Sequence, residues 1–245
     1  MKSAHRLLLA ISAGVSLQMA GAGHAAAQDQ AIPDTQADNT VIVAARRLTE
    51  AQYRQTIADV FGDDIRINAR FEPELREQGL LALGSATLSL TAAGFEQYFN
   101  LSQDISGQVL GESRRSDTMP CVPDAGADVD LVCAEHFISH FGELLFRRPL
   151  TPAELQSRLD TAVRGADQTG DFYTGLQLAL ASLLAAPEFL FRMELAEPDP
   201  DTADGWRLDA YTRAARLSFL FWNTAPDAAL LPRVPAQFRV IVVDN

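Results

Sequence analysis

Residues Phe146 to Leu155, Phe-Arg-Arg-Pro-Leu-Thr-Pro-Ala-Glu-Leu, stop one helix and start another within a few positions. Thr151 can cap the new helix, Pro152 suits its first turn, and Glu154 can return a hydrogen bond to the Thr151 amide. Leu150 and Leu155 stand where a hydrophobic staple closes. Arg147, Arg148, Pro149, Thr151 and Glu154 therefore form a structural motif. A chain written this way folds as packed helices.

The same grammar recurs upstream. Thr49-Glu50-Ala51-Gln52 is a second capping box, Thr49 and Gln52 its reciprocal pair, with Leu48 and Tyr53 as its staple. Tyr53, Ile57, Val60 and Phe61 fall on one helical face, and Gly62 can end the helix. Residues 63–90 are broken by Pro73, Gly79 and Gly84. The spacing predicts a helix over 91–110 that buries Phe95, Phe99 and Val109. Another runs over 130–147 and buries Val132, Phe137, Phe141 and Leu144. Further helices are expected over 152–165, over 171–186 and over 188–195, and from the Asp209 cap to Trp222. Residues 197–205 are a boundary, and Thr224-Ala225-Pro226-Asp227 opens a helix that Pro232 and Pro235 stop. The fold class is mainly α: consecutive small helical domains or bundles, with no extended sheet.

The N-terminus has the form of an export signal. Lys2 and Arg6 precede a mostly apolar run, Leu7 to Met19, and Ala25-Ala26-Ala27 suits cleavage, so 1–27 reads as a signal peptide. The apolar run is short for a membrane span, and no later segment is long enough. An exported chain, periplasmic or extracellular and with no stable anchor after cleavage, is expected. Residues 28–47 read as a linker, its end a short apolar run, Thr40 to Arg46. The net charge is −12, and Lys2 is the only lysine. An acidic chain without a basic stripe argues against nucleic acid as a partner.

The two cysteines, Cys121 and Cys133, read in an exported chain as one disulfide closing an Asp-rich loop. They lack the second Cys or His pair of a zinc site, and no Cys-x-x-Cys-His motif attaches a haem.

Four segments, 46–62, 146–155, 183–194 and 208–227, resemble in this order the planctomycete-specific-domain proteins, large exported bacterial proteins built from consecutive domains of unknown function. The resemblance implies a first helical domain over 48–112, a second over 113–198 with the disulfide, and the start of a third over 206–231. Family members usually continue further, and many carry a cytochrome c module. Here the pattern stops near Leu231, and the tail 232–245 has the look of a frameshift or premature stop. On that reading, removal of 206–245 should leave the melting temperature unchanged.

No phosphate loop, nucleophile elbow or triad stands out, so no catalytic or cofactor-binding residue and no cofactor is assigned. His136 and His140, one turn apart, are the weak candidates for a metal, with Glu135 and Glu143 nearby. Arg147 and Arg148 end a helix, where they can bond its last carbonyls, pair with Glu154, or bind an anion. Asp199, Asp201 and Asp204 lack the spacing of a calcium loop. Phe219, Leu220, Phe221 and Trp222 are too apolar for a lone surface helix. The expected function is that of an exported scaffold or partner-binding module, a fragment of a larger cell-envelope protein. Its partners would be other envelope proteins or a separate c-type cytochrome. The alternative is part of a periplasmic redox or other enzyme system whose active residues lie elsewhere.

Overall fold

The computed structural model describes residues 40–73, 90–124, 129–227 and 229–231. The expected signal peptide, residues 28–39 of the linker and the tail 232–245 lie outside the described residues. Among the described residues the helices are α1 (Glu50–Phe61), α2 (Ala92–Val109), α3 (Arg115–Thr118), α4 (Leu131–Phe146), α5 (Pro152–Thr169), α6 (Phe172–Leu184), α7 (Pro187–Leu190) and α8 (Ala210–Phe221). The strands are β1 (Val41–Arg47), β2 (Phe191–Pro198) and β3 (Trp206–Leu208). The protein is mainly α, with one small sheet.

Local chemistry explains where the long helices begin. The side chains of Thr49, Thr91, Asp130, Thr151, Asp171 and Asp209 each accept a hydrogen bond from a first-turn amide. Both capping boxes, Thr49 with Gln52 and Thr151 with Glu154, are closed. Leu48 and Tyr53 are buried beneath the first box as its staple requires. Gly62 ends α1 at φ +105°, where a side chain would be strained.

Helix α6 is apolar nearly all round and occupies the centre, against α2, α4 and α5. Gly165 of α5 meets Gly175 of α6, and a Cβ on Gly175 would collide with the Ala162 carbonyl oxygen. This close approach corrects the expected end of the helix near Gly165. That glycine lies inside α5, which runs on to Thr169 and ends at Gly170 in the left-handed conformation.

The sheet order is β1-β2-β3, antiparallel throughout, with an irregularity between Ile42 and Ala44. Two expectations are corrected here. Residues 41–47 form a paired strand rather than the end of a linker, and the helix expected over 188–195 is the single turn α7 followed by β2. Phe191 to Leu195 has an apolar pattern that suits either state, and pairing with β1, far away in sequence, decides it. Phe95, Phe99 and Val132 are exposed, not buried. Val109, Phe137 and Phe141 are buried as expected.

One hydrophobic cluster runs from Leu48 and Tyr53 to Phe219 and Ala225. Helix α8 is stitched to the rest. The Leu195 amide donates to Thr212 Oγ1 (3.0 Å), Gln52 Nε2 to Asn223 Oδ1 (3.1 Å) and the Ala225 amide to Thr56 Oγ1 (3.3 Å). These contacts favour the opposite expectation for removal of 206–245, a lower melting temperature. No helix among the described residues is long and apolar enough to cross a membrane.

Candidate functional site

Of the residues singled out in the sequence, the arginine pair has a structural role. Arg147 stands at the C-cap of α4 in the left-handed conformation (φ 60°), with its side chain buried. Its guanidinium donates to the carbonyl oxygens of Glu188, Phe189 and Phe191, clamping α7 and the start of β2. Burial, then Arg192 and Arg148, push it down to about 9, so it remains charged at neutral pH. Arg148 forks onto both oxygens of Glu154 at 2.9 and 2.7 Å. That hydrogen bond is the main reason the Glu154 carboxyl falls to about 2.

Cys121 and Cys133 form a disulfide, which holds the loop before α4 onto its first turn. His136 and His140 are both exposed, and His140 lies edge-on to Phe141. Among the described residues no group of three or more His, Cys, Asp or Glu could hold a metal ion. Asp199 accepts hydrogen bonds from the Asp201 amide and the Thr202 hydroxyl, as the start of the turn between β2 and β3.

Sequence reasoning missed a second arginine cluster, which lies in an open pocket of about 640 Å³ between β1, β2, α1 and α8. The charged residues lining it are Arg46, Arg192, Arg216 and Glu194. Arg46 and Arg192 are register partners across the β1–β2 ladder, and Glu194 follows Arg192 on the same face. Arg216 reaches over from α8 and grips Glu194 with Nε at 3.1 Å and Nη2 at 2.5 Å. Arg46 Nε stands 4.0 Å from the same carboxylate.

The Nε of Arg192 is buried without a hydrogen-bond partner among the described residues. Its guanidinium lies over the Phe219 ring at 4.8 Å. Burial, and then Arg46 and Arg216, push it down, against the opposite pull of Glu194. Thr49, Gln52 and Asn223 add polar groups to the wall.

The pocket adjoins an apolar edge. Phe219 is buried in the core, while Leu220, Phe221 and Trp222 are 74%, 68% and 63% exposed. Leu220 lines the arginine pocket. Trp222 lines a second hollow of about 460 Å³ with Val60, Leu144 and Pro226.

Among known protein families, residues 46–111 match a protein of unknown function, DUF1587 (PSD3), and residues 133–194 match another, DUF1595 (PSD5). Together they span just over half of the chain. The β1–β2 ladder joins the start of the first matched segment to the end of the second. No curated protein and no solved structure matches the chain.

Proposed function

Because the chain belongs to the family of proteins carrying these planctomycete-specific domains of unknown function, we propose that it acts as an exported helical scaffold that binds a protein partner through the end of α8. The observation that carries this reading is the exposed run Leu220-Phe221-Trp222. It continues directly from the core residue Phe219 and is presented on a helix tied to β2 and α1. A large apolar and aromatic patch on a rigid element is the usual mark of an interaction surface. The disulfide favours an oxidising compartment. A partner in the cell envelope follows from that location.

Photo-crosslinking in the native host tests the proposal. A benzophenone side chain at position 222 should give one discrete adduct, lost when Phe221 is replaced by Glu, while the same group at Arg158 on α5 gives none. Equal adducts from both positions, or none at position 222, would reject the docking surface.

A further inference from the structure

We infer that the hollow beside Trp222, between α1 and the chain leaving α8, receives a cationic side chain, an arginine carried by the partner's docking segment. This deepens the docking reading, on which it rests for the source of the arginine, and names the chemistry that is recognised.

The hollow, of about 460 Å³, is of the size that ligand sites have. Val60, Leu144, Ala225, Pro226 and Leu230 give it apolar walls. Its charged lining among the described residues is Asp59 and Asp227, with no basic side chain. Gln55 Nε2 donates to Asp59 at 2.9 Å, and the Ala229 and Leu230 amides donate to Asp227 at 3.1 and 2.8 Å. Those donors are all neutral, so neither carboxylate has a counter-ion among the described residues.

Two further features of the same hollow point to a donor cation independently of the carboxylates. The hydroxyl oxygen of Thr224 is buried there without a hydrogen-bond partner, a free-energy cost that a donor from outside removes. The Trp222 ring is 63% exposed at the same place, and the face of an indole attracts a cation. A guanidinium meets all three: it stacks on an aromatic ring while its N–H groups donate to carboxylate and hydroxyl oxygens. An anion is opposed by both carboxylates. A purely apolar side chain leaves the Thr224 oxygen unbonded and strips water from charged groups. The wall is set before a partner arrives, because Gln52 holds Asn223 and Thr56 holds the Ala225 amide.

Heteronuclear NMR of the purified full chain tests this with a blocked Leu-Arg-Leu tripeptide and the same peptide carrying citrulline, a neutral isostere of arginine. The arginine peptide should shift the Trp222 indole N–H and the Val60 and Thr224 amides, less so as salt rises. Citrulline should weaken binding about tenfold, through loss of the charge-assisted contacts. Asp59→Asn combined with Asp227→Asn keeps acceptors for the local hydrogen bonds and should bind arginine no better than citrulline. Thr224→Val should weaken binding while raising the melting temperature, a pair of changes that a purely structural hydroxyl does not give. Asp160→Asn, an exposed α5 acid bonded by Gln156 much as Asp59 is by Gln55, should bind like the parent. Equal binding of the two peptides, no shifts with either, or parent-like binding by the folded double variant would overturn the arginine site. A benzophenone at position 220, which leaves Trp222 in place, separates this from the docking reading. An adduct of undiminished yield in the double variant keeps the docking surface and removes the arginine. Peptide binding without any adduct removes the protein partner as its source.

Discussion

At the scale of single residues, a buried cation and an ion-paired carboxylate both stabilise the fold, by different means. Arg147 combines an unfavourable left-handed backbone with a guanidinium that satisfies three carbonyls. Arg147→Ala should therefore cost about 3 kcal/mol, because the orphaned carbonyls stay buried. Arg147→Gly should cost about 1 kcal/mol less than Ala, since glycine relieves the backbone. Denaturant titration checks the order; if Ala is the milder change, backbone strain plays no part. For Glu154 the ordinary value of 4.5 falls to about 2, chiefly through the Arg148 hydrogen bond. The unfolded chain takes up the proton first as pH falls. The stabilising contribution is thus complete above pH 4.5 and lost as pH falls toward about 2. Glu154→Gln should lower stability at neutral pH, and the gap from the parent should close across that acid window. A gap that does not vary with pH would show the ion pair to be inert. The pairing of Arg148 with Glu154 was legible in the sequence because both sit in one short motif. The role of Arg147 was not, because its acceptors lie about forty positions away in the chain.

At the scale of elements, caps are local and contacts are not. Each long-helix start could be read from a Thr or Asp followed by the right first turn, since the cap bonds an amide two or three residues on. Helix ends and faces were less legible. Gly165 looked like a terminator because glycine often is one, yet it serves the contact between α5 and α6. Gly175→Ala tests that contact. The substitution favours an isolated helix by about 1 kcal/mol, but the new methyl meets the Ala162 carbonyl oxygen, and overpacking costs about 1–3 kcal/mol. A lower melting temperature is expected, and a higher one would mean that the helices can separate freely. The strand β2 shows the same limit with functional consequences. As a helix, Arg192 and Glu194 would point to different sides; as a strand, they share a face with Arg46 across the ladder. Reading the period wrongly hid the arginine pocket.

At the scale of the molecule, the segments read as successive helical units share one hydrophobic cluster. Strand β2 is central, between β1 from the start of the described chain and β3 just before α8. Deleting 206–245 should therefore lower the melting temperature, by removing β3, Phe219 and the bonds to Leu195, Thr56 and Gln52. An unchanged melting temperature would show α8 to be an independent appendage. By itself the sequence determined the mainly α class, the capped helix starts, the cysteine pairing and the family, because each is encoded by residues close together or by a recurring pattern. Only the tertiary structure decided that 41–47 and 191–198 are strands, which faces of the helices are buried, and that Arg46, Arg192 and Arg216 meet around Glu194. Those outcomes rest on backbone pairing and packing between distant segments, whose free energy outweighs local preference and leaves no local signature.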